Sequence, residues 1–102
     1  MNPMRLILQD VTHSRTFQAV SSFVGEDASG GFGILPGHAR MMTSLVMGLS
    51  RFRSAEHDWR YIATPGALLY FRDNTLILTC RHFLVDDDYM ACLLYTSDAA
   101  DE

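Results

Sequence analysis

Apolar residues recur at every second position in one short run after another, and no 3.6-residue period persists long enough to specify an amphipathic helix. That rhythm commits the chain to strands, because successive side chains of an extended backbone point to opposite sides. In Trp59 to Thr64, for example, Trp59, Tyr61 and Ala63 fall on one side and Arg60, Ile62 and Thr64 on the other, as expected for a sheet with one buried face. Runs of this kind predict strands near Arg5 to Leu8, Thr16 to Val24, Phe32 to Leu35, Arg40 to Leu45, Leu49 to Arg53, Trp59 to Thr64, Ala67 to Arg72, Thr75 to Cys80 and Phe83 to Val85. Turn residues punctuate them. Pro36-Gly37 suits a type II turn, Asp73-Asn74 a two-residue turn and Thr64-Pro65-Gly66 a further proline-glycine turn, while the polar Ser54 to Asp58 reads as a hairpin loop. Gly25 to Gly31 offers no apolar face and is expected to be a mobile surface loop. Many short strands at near-even spacing require a sandwich or a barrel.

At 102 residues the chain is expected to form one domain, able to bury somewhat more than about 60% of the surface its unfolded form exposes. The longest apolar run, Met41 to Leu49, falls far short of the roughly 20 residues that cross a bilayer. Near the N-terminus the apolar Leu6-Ile7-Leu8 is too short for a signal-peptide core and is followed at once by Gln9 and Asp10, so a cytoplasmic location is expected. Cys80 and Cys92 allow at most one bridge and form no C-x-x-C arrangement; Cys80, in an apolar run, is expected to be a buried, unreactive thiol.

Residues 92–102 look foreign to the domain: they resemble translated sequencing-adapter read-through, and a disordered, non-native tail is expected there. Three of the 12 acids, Asp98, Asp101 and Glu102, belong to it, leaving nine acids against eight arginines in the body, a net charge of −1. A nearly neutral body without a basic stripe excludes nucleic acid as the main partner, since neutralising phosphates takes clustered cations.

No reactive constellation emerges from the spacing. Glycines 30, 31 and 33 form neither G-x-G-x-x-G nor a lysine-bearing phosphate loop. His13, His38, His57 and His82 stand singly, without the short spacings that build a zinc site on one element, although His38, His82 and the Asp86 to Asp88 run could converge in space. A small metal-assisted hydrolase built on His38, His82 and Asp86 is therefore the alternative function. Ser44, Ser50 and Cys80 lie in strand-like runs with no nucleophile elbow. The aspartate triplet reads as a strand end in which one carboxylate caps a following helix, although the residues beyond it do not read as one. Aromatic residues and Met41, Met42 and Met47 are core filler by the same reasoning.

The segment Gly30-Gly31-Phe32-Gly33-Ile34-Leu35-Pro36-Gly37-His38 closely resembles the signature of the epsilon subunit of rotary ATP synthases. Thr43 to Leu49 and Thr64 to Leu69 are similar to further stretches of that family, and the resemblance runs from about Met4 to Tyr89. It implies a two-sheet β-sandwich of about nine or ten short strands over residues 1–91. It also implies a non-catalytic subunit of the central stalk at the cytoplasmic face of the bacterial inner membrane, without cofactor or metal, which couples rotation of the gamma shaft to the ion-driven c-ring. Glu26, Asp27, Ser29, Gly30, Gly31 and Phe32 would then face the c-ring, and His38, Arg40 and Met41 the gamma subunit. Many family members carry an acid where this chain has Gly31, so Glu26 and Asp27 are expected to substitute for it. The family's two-helix C-terminal domain has no counterpart in the chain, which implies truncation.

Overall fold

The computed structural model describes residues 2–100, excepting the side chains of residues 97–100. Nine strands precede one helix: β1 (Met4–Gln9), β2 (Ser14–Asp27), β3 (Gly30–Ile34), β4 (Met41–Leu45), β5 (Gly48–Ser54), β6 (Arg60–Thr64), β7 (Ala67–Arg72), β8 (Thr75–Cys80), β9 (Leu84–Asp86) and α1 (Tyr89–Ala100). Each of the nine alternating runs is a strand, and the fold is an all-β sandwich.

The long strand β2 belongs to both layers. Its first half pairs with β1, and its second half pairs with β5 and β3. Beyond β1 lie β8, β7 and β4, with β1 and β8 parallel; beyond β5 lie β6 and β9. One layer is thus β4-β7-β8-β1-β2 and the other β3-β2-β5-β6-β9, with a single Asp27–Leu45 pairing tying β4 back to β2. Two register shifts in β2 make the transfer possible, the first where Ala19 takes φ 55° and the second between Val20 and Ser22. Each inserts an extra residue. Phe17, Val20 and Phe23 therefore lie three apart and still all pack with the core.

Between the layers, Met4, Leu6 and Leu8 of β1 meet Phe23, Ile34, Phe52 and Ile62 of the second layer, with Leu69, Phe71, Leu76 and Leu78 alongside. The turns follow their chemistry. Gly37 has φ 84° and the His38 amide donates to the Leu35 carbonyl at 3.1 Å, the bond of a type II turn. Asp73 and Asn74 both take positive φ, 53° and 56°, as a type I′ turn between twisted strands requires.

Two expectations are corrected. Gly25 to Gly31 is not a loop: β2 continues to Asp27, β3 begins at Gly30, and only Ala28 and Ser29 form the turn. Backbone pairing organises this segment where apolar patterning is missing. The tail from residue 92 is not disordered through Ala100, because α1 spans it. Asp88 caps the helix, its carboxylate accepting the Met90 amide at 2.9 Å. Beneath the helix, Cys92 is fully buried and Tyr89 stands edge-on to Tyr61 at 5.3 Å. Strand β6 is consequently covered on both sides, with Ile62 in the core and Tyr61 and Ala63 under α1. The expectation for residues 101–102 lies outside the described residues.

Candidate partner-binding surfaces

The β2–β3 hairpin closes one end of the sandwich. Its tip is built on Asp27, whose carboxylate accepts the Ser29 hydroxyl, the Thr43 hydroxyl at 2.7 Å and the Ser29 amide at 2.9 Å. These bonds hold the Asp27 carboxyl below its ordinary 3.8, with the Ser29 hydroxyl contributing most, then Thr43, then the Ser29 amide. Gly30 follows at φ 119°, a conformation that side chains rarely adopt. Glu26 and Gly31 sit directly opposite one another across the hairpin, and both are exposed. Among the described residues Glu26 forms no ion pair. The Glu26 carbonyl accepts the Val46 amide at 3.1 Å, which brings the exposed Val46 and Met47 to the same end. Phe32 behaves differently from its neighbours and packs half-buried against the core.

His38, Arg40 and Met41 lie at the opposite end, because β4 runs from Met41 to Leu45, the residue paired with Asp27. At a rise of about 3.4 Å per residue, β4 alone separates the two ends by about 14 Å. The Gly37 amide donates to Asn74 Oδ1 at 2.7 Å, locking the β3–β4 turn onto the β7–β8 turn. His38 is exposed and stands edge-on to Phe71 at 5.9 Å, and the Arg40 guanidinium lies 5.8 Å from the centre of the Tyr70 ring. Met41 packs against the core, whereas its neighbour Met42 points outward and is 62% exposed. Paired strands place Met42 beside Tyr70 and Tyr70 beside Ile77, with Leu68 next along β7 at 47% exposure. Sequence reasoning took Met42 for core filler. The alternation that turns Met41 inward already turned Met42 out.

A family model for the ATP synthase delta/epsilon chain β-sandwich domain matches residues 5–84. The chain belongs to this family. It is 36% identical over 89 residues to the ATP synthase epsilon chain 2 of Cereibacter sphaeroides, covering 83% of this chain and 61% of that protein. Over 75 residues it is 36% identical to the ATP synthase epsilon chain 2 of Paraburkholderia xenovorans, covering 72% and 54%. The chain therefore spans just over half the length of these curated relatives. Its fold is similar to a chain in the Euglena gracilis mitochondrial ATP synthase, with TM-score 0.75 and 15% identity over 83% of this chain and 54% of that one. It is similar as well to a chain in the central stalk and c-ring structure of the Tetrahymena thermophila mitochondrial enzyme, with TM-score 0.68 and 13% identity over 99% and 92%.

Within this delta/epsilon sandwich, the residues of the alternative metal site are not assembled. His38 sits in the β3–β4 turn against Phe71, while His82 precedes β9 and its Nδ1 faces the Tyr95 hydroxyl. Among the described residues, no three His, Cys, Asp or Glu side chains gather where a metal ion could be held. Burial, with a smaller contribution from the Asp10 charge, pushes the Cys80 thiol up to about 11, which leaves it protonated at neutral pH. Ser50 is buried in β5, and Ser44 lies exposed on β4.

Proposed function

We propose that this domain is the non-catalytic β-sandwich of an epsilon subunit in the central stalk of a rotary ATP synthase, coupling gamma-shaft rotation to the ion-driven c-ring. The observation that carries the reading is the separation of two exposed surfaces across one tightly packed body. Torque can pass only through something stiff, and close packing between the layers supplies stiffness without any reactive group. Membership in the delta/epsilon family and the epsilon-chain names of the relatives support the assignment.

In this reading the hairpin end, with Glu26, Ser29, Gly30, Gly31, Val46 and Met47, meets the polar loops of the c-ring. The far end and the adjoining outer face, with His38, Arg40, Met42, Leu68 and Tyr70, meet gamma; Met41 and Phe32 support these surfaces from within. Of the two hairpin acids Glu26 makes the contact, because Asp27 is committed to Ser29 and Thr43. The subunit sits peripherally at the cytoplasmic face of a bacterial inner membrane; no helix among the described residues is long and apolar enough to cross a membrane.

Co-purification tests the proposal. The folded chain is expected to co-elute with an ATP synthase gamma subunit, and Met42→Asp together with Leu68→Asp to abolish co-elution. A folded chain that never associates with gamma would overturn it.

A further inference from the structure

Strand β3 ends its sheet. Among the described residues it pairs with β2 alone, and its five residues, Gly30 to Ile34, carry neither charge nor proline. Sheet edges normally carry such features to prevent other strands from adding.

The alternation of antiparallel hydrogen bonds shows which groups the edge presents. Asp27 and Gly30 flank a two-residue turn, where a hairpin places a bonded pair, so the alternation has the next pair, Glu26 and Gly31, point its backbone groups outward from the hairpin. The Glu26 carbonyl does so, accepting the Val46 amide on the far side. With an unbroken register, the N–H and C=O groups of Gly31 and Gly33 therefore lie along the open edge. Nothing in the fold demands glycine at either place. A Cβ at Gly31 would come no closer than 3.9 Å to other atoms and one at Gly33 no closer than 3.6 Å, both ordinary contacts.

A second feature adjoins the edge. On the outer face a groove of about 320 Å³ is lined by Val24, Glu26, Gly31, Leu49, Arg51, Tyr61 and other residues. A strand added beyond β3 would lie two strand spacings, about 10 Å, from β2. A long cationic side chain on that strand would cross Gly31 unobstructed, reach the Glu26 carboxylate and rest its stem in the groove. A second copy of this chain is disfavoured as the occupant, since Gly30 to Ile34 contains no cation to offer.

We propose that the open edge of β3 receives an extended segment of a partner polypeptide by strand addition, through the Gly31 and Gly33 backbone, with an Arg or Lys of that segment paired to Glu26. The inference rests on the reading of the hairpin end as a partner surface and names how that contact is made.

The test is residue-resolved hydrogen exchange on this chain, alone and assembled with a gamma subunit and c-ring. The Gly31 and Gly33 amides are expected to exchange freely in the chain alone and at least about 100-fold more slowly in the complex. Gly33→Pro removes a donor that the strand alternation leaves on the open edge, and is expected to weaken assembly at least about tenfold, while Gly33→Ala, which keeps it, leaves assembly within about twofold. Should Gly33→Pro fail to fold, the exchange rates of the unmodified chain decide. A complex in which both amides remain fast overturns the proposal and leaves the stalk assignment standing. No complex at all overturns both. Slowing that depends on the concentration of the chain alone assigns the edge to a second copy and overturns the proposal as stated.

Discussion

Gly25 and Gly31 lie on the same hairpin, yet alanine should have opposite effects at the two positions. A Cβ at Gly25 would sit 2.9 Å from Phe23 Cε1 and 3.2 Å from Leu45 Cδ2, side chains that are 0% and 5% exposed. Neither can swing aside without disturbing the core, and overpacking of this kind costs about 1–3 kcal/mol. Alanine recovers about 0.5–1 kcal/mol of the strand stability that glycine forgoes. At the middle of these ranges Gly25→Ala should therefore destabilise by about 1 kcal/mol net, lowering the midpoint of thermal unfolding by roughly 4–8 °C for a domain of this size. Gly31→Ala meets nothing closer than 3.9 Å and should be neutral or stabilising by up to about 1 kcal/mol. Thermal melts followed by far-ultraviolet circular dichroism at neutral pH measure both. The packing argument is refuted if Gly25→Ala is as stable as the parent, or if Gly31→Ala loses as much as Gly25→Ala.

Three further outcomes are expected. Asn74→Gly keeps the φ of 56° and loses the side-chain bonds, from the Gly37 amide to Oδ1 and from Nδ2 to the Asn2 carbonyl, whereas Asn74→Ala loses the same bonds and strains the turn by a further ~1 kcal/mol, a difference readable in urea unfolding. The Asp27 carboxyl, and that of Asp10 held mainly by the Thr12 amide, lie below the ordinary 3.8 in the folded chain, so their contribution is present above that pH and lost as the pH falls through the depressed values. Asp27→Asn should accordingly flatten the fall of the melting temperature in acid, and an unchanged slope would count against the role given to Ser29 and Thr43. With its thiol pushed up to about 11, Cys80 should react with a disulfide reagent at pH 8 roughly 10-fold more slowly than free cysteine, its smaller thiolate fraction partly offset by the greater nucleophilicity of a more basic thiolate, timed by absorbance.

Strand positions were legible because alternation is local. Arg5 to Leu8 and Thr75 to Cys80 carry their inward and outward sides in the residue order, and Pro36-Gly37 and Asp73-Asn74 carry their turn types in their side chains. Strand order was not legible, since nothing local to β1 selects β8 as its parallel neighbour or shows that β2 serves two layers. The shifts near Ala19 and Ser21 arise from long-range register, so Phe17, Val20 and Phe23 look out of phase until the pairing is known. The hairpin escaped notice because Gly25, Gly30 and Gly31 have no apolar side chain to mark a buried face. Helix α1 escaped because Cys92 and Tyr95, which face the sandwich, occur in a stretch whose other residues resemble no domain sequence. Of the residues proposed for the partner surfaces, His38, Arg40 and Glu26 were expected from the family resemblance and not from polarity or spacing. The outward face around Met42 and Leu68 required knowing that β4 and β7 are neighbours.

The most direct test of the two-ended coupling body is photo-crosslinking from both rims of the assembled complex, with the crosslinker at Ser29 in one preparation and at Arg40 in another. The account expects Ser29 to capture the c-ring and Arg40 to capture gamma. Capture of the same subunit from both positions, or of neither partner by a folded and assembled chain, would contradict it.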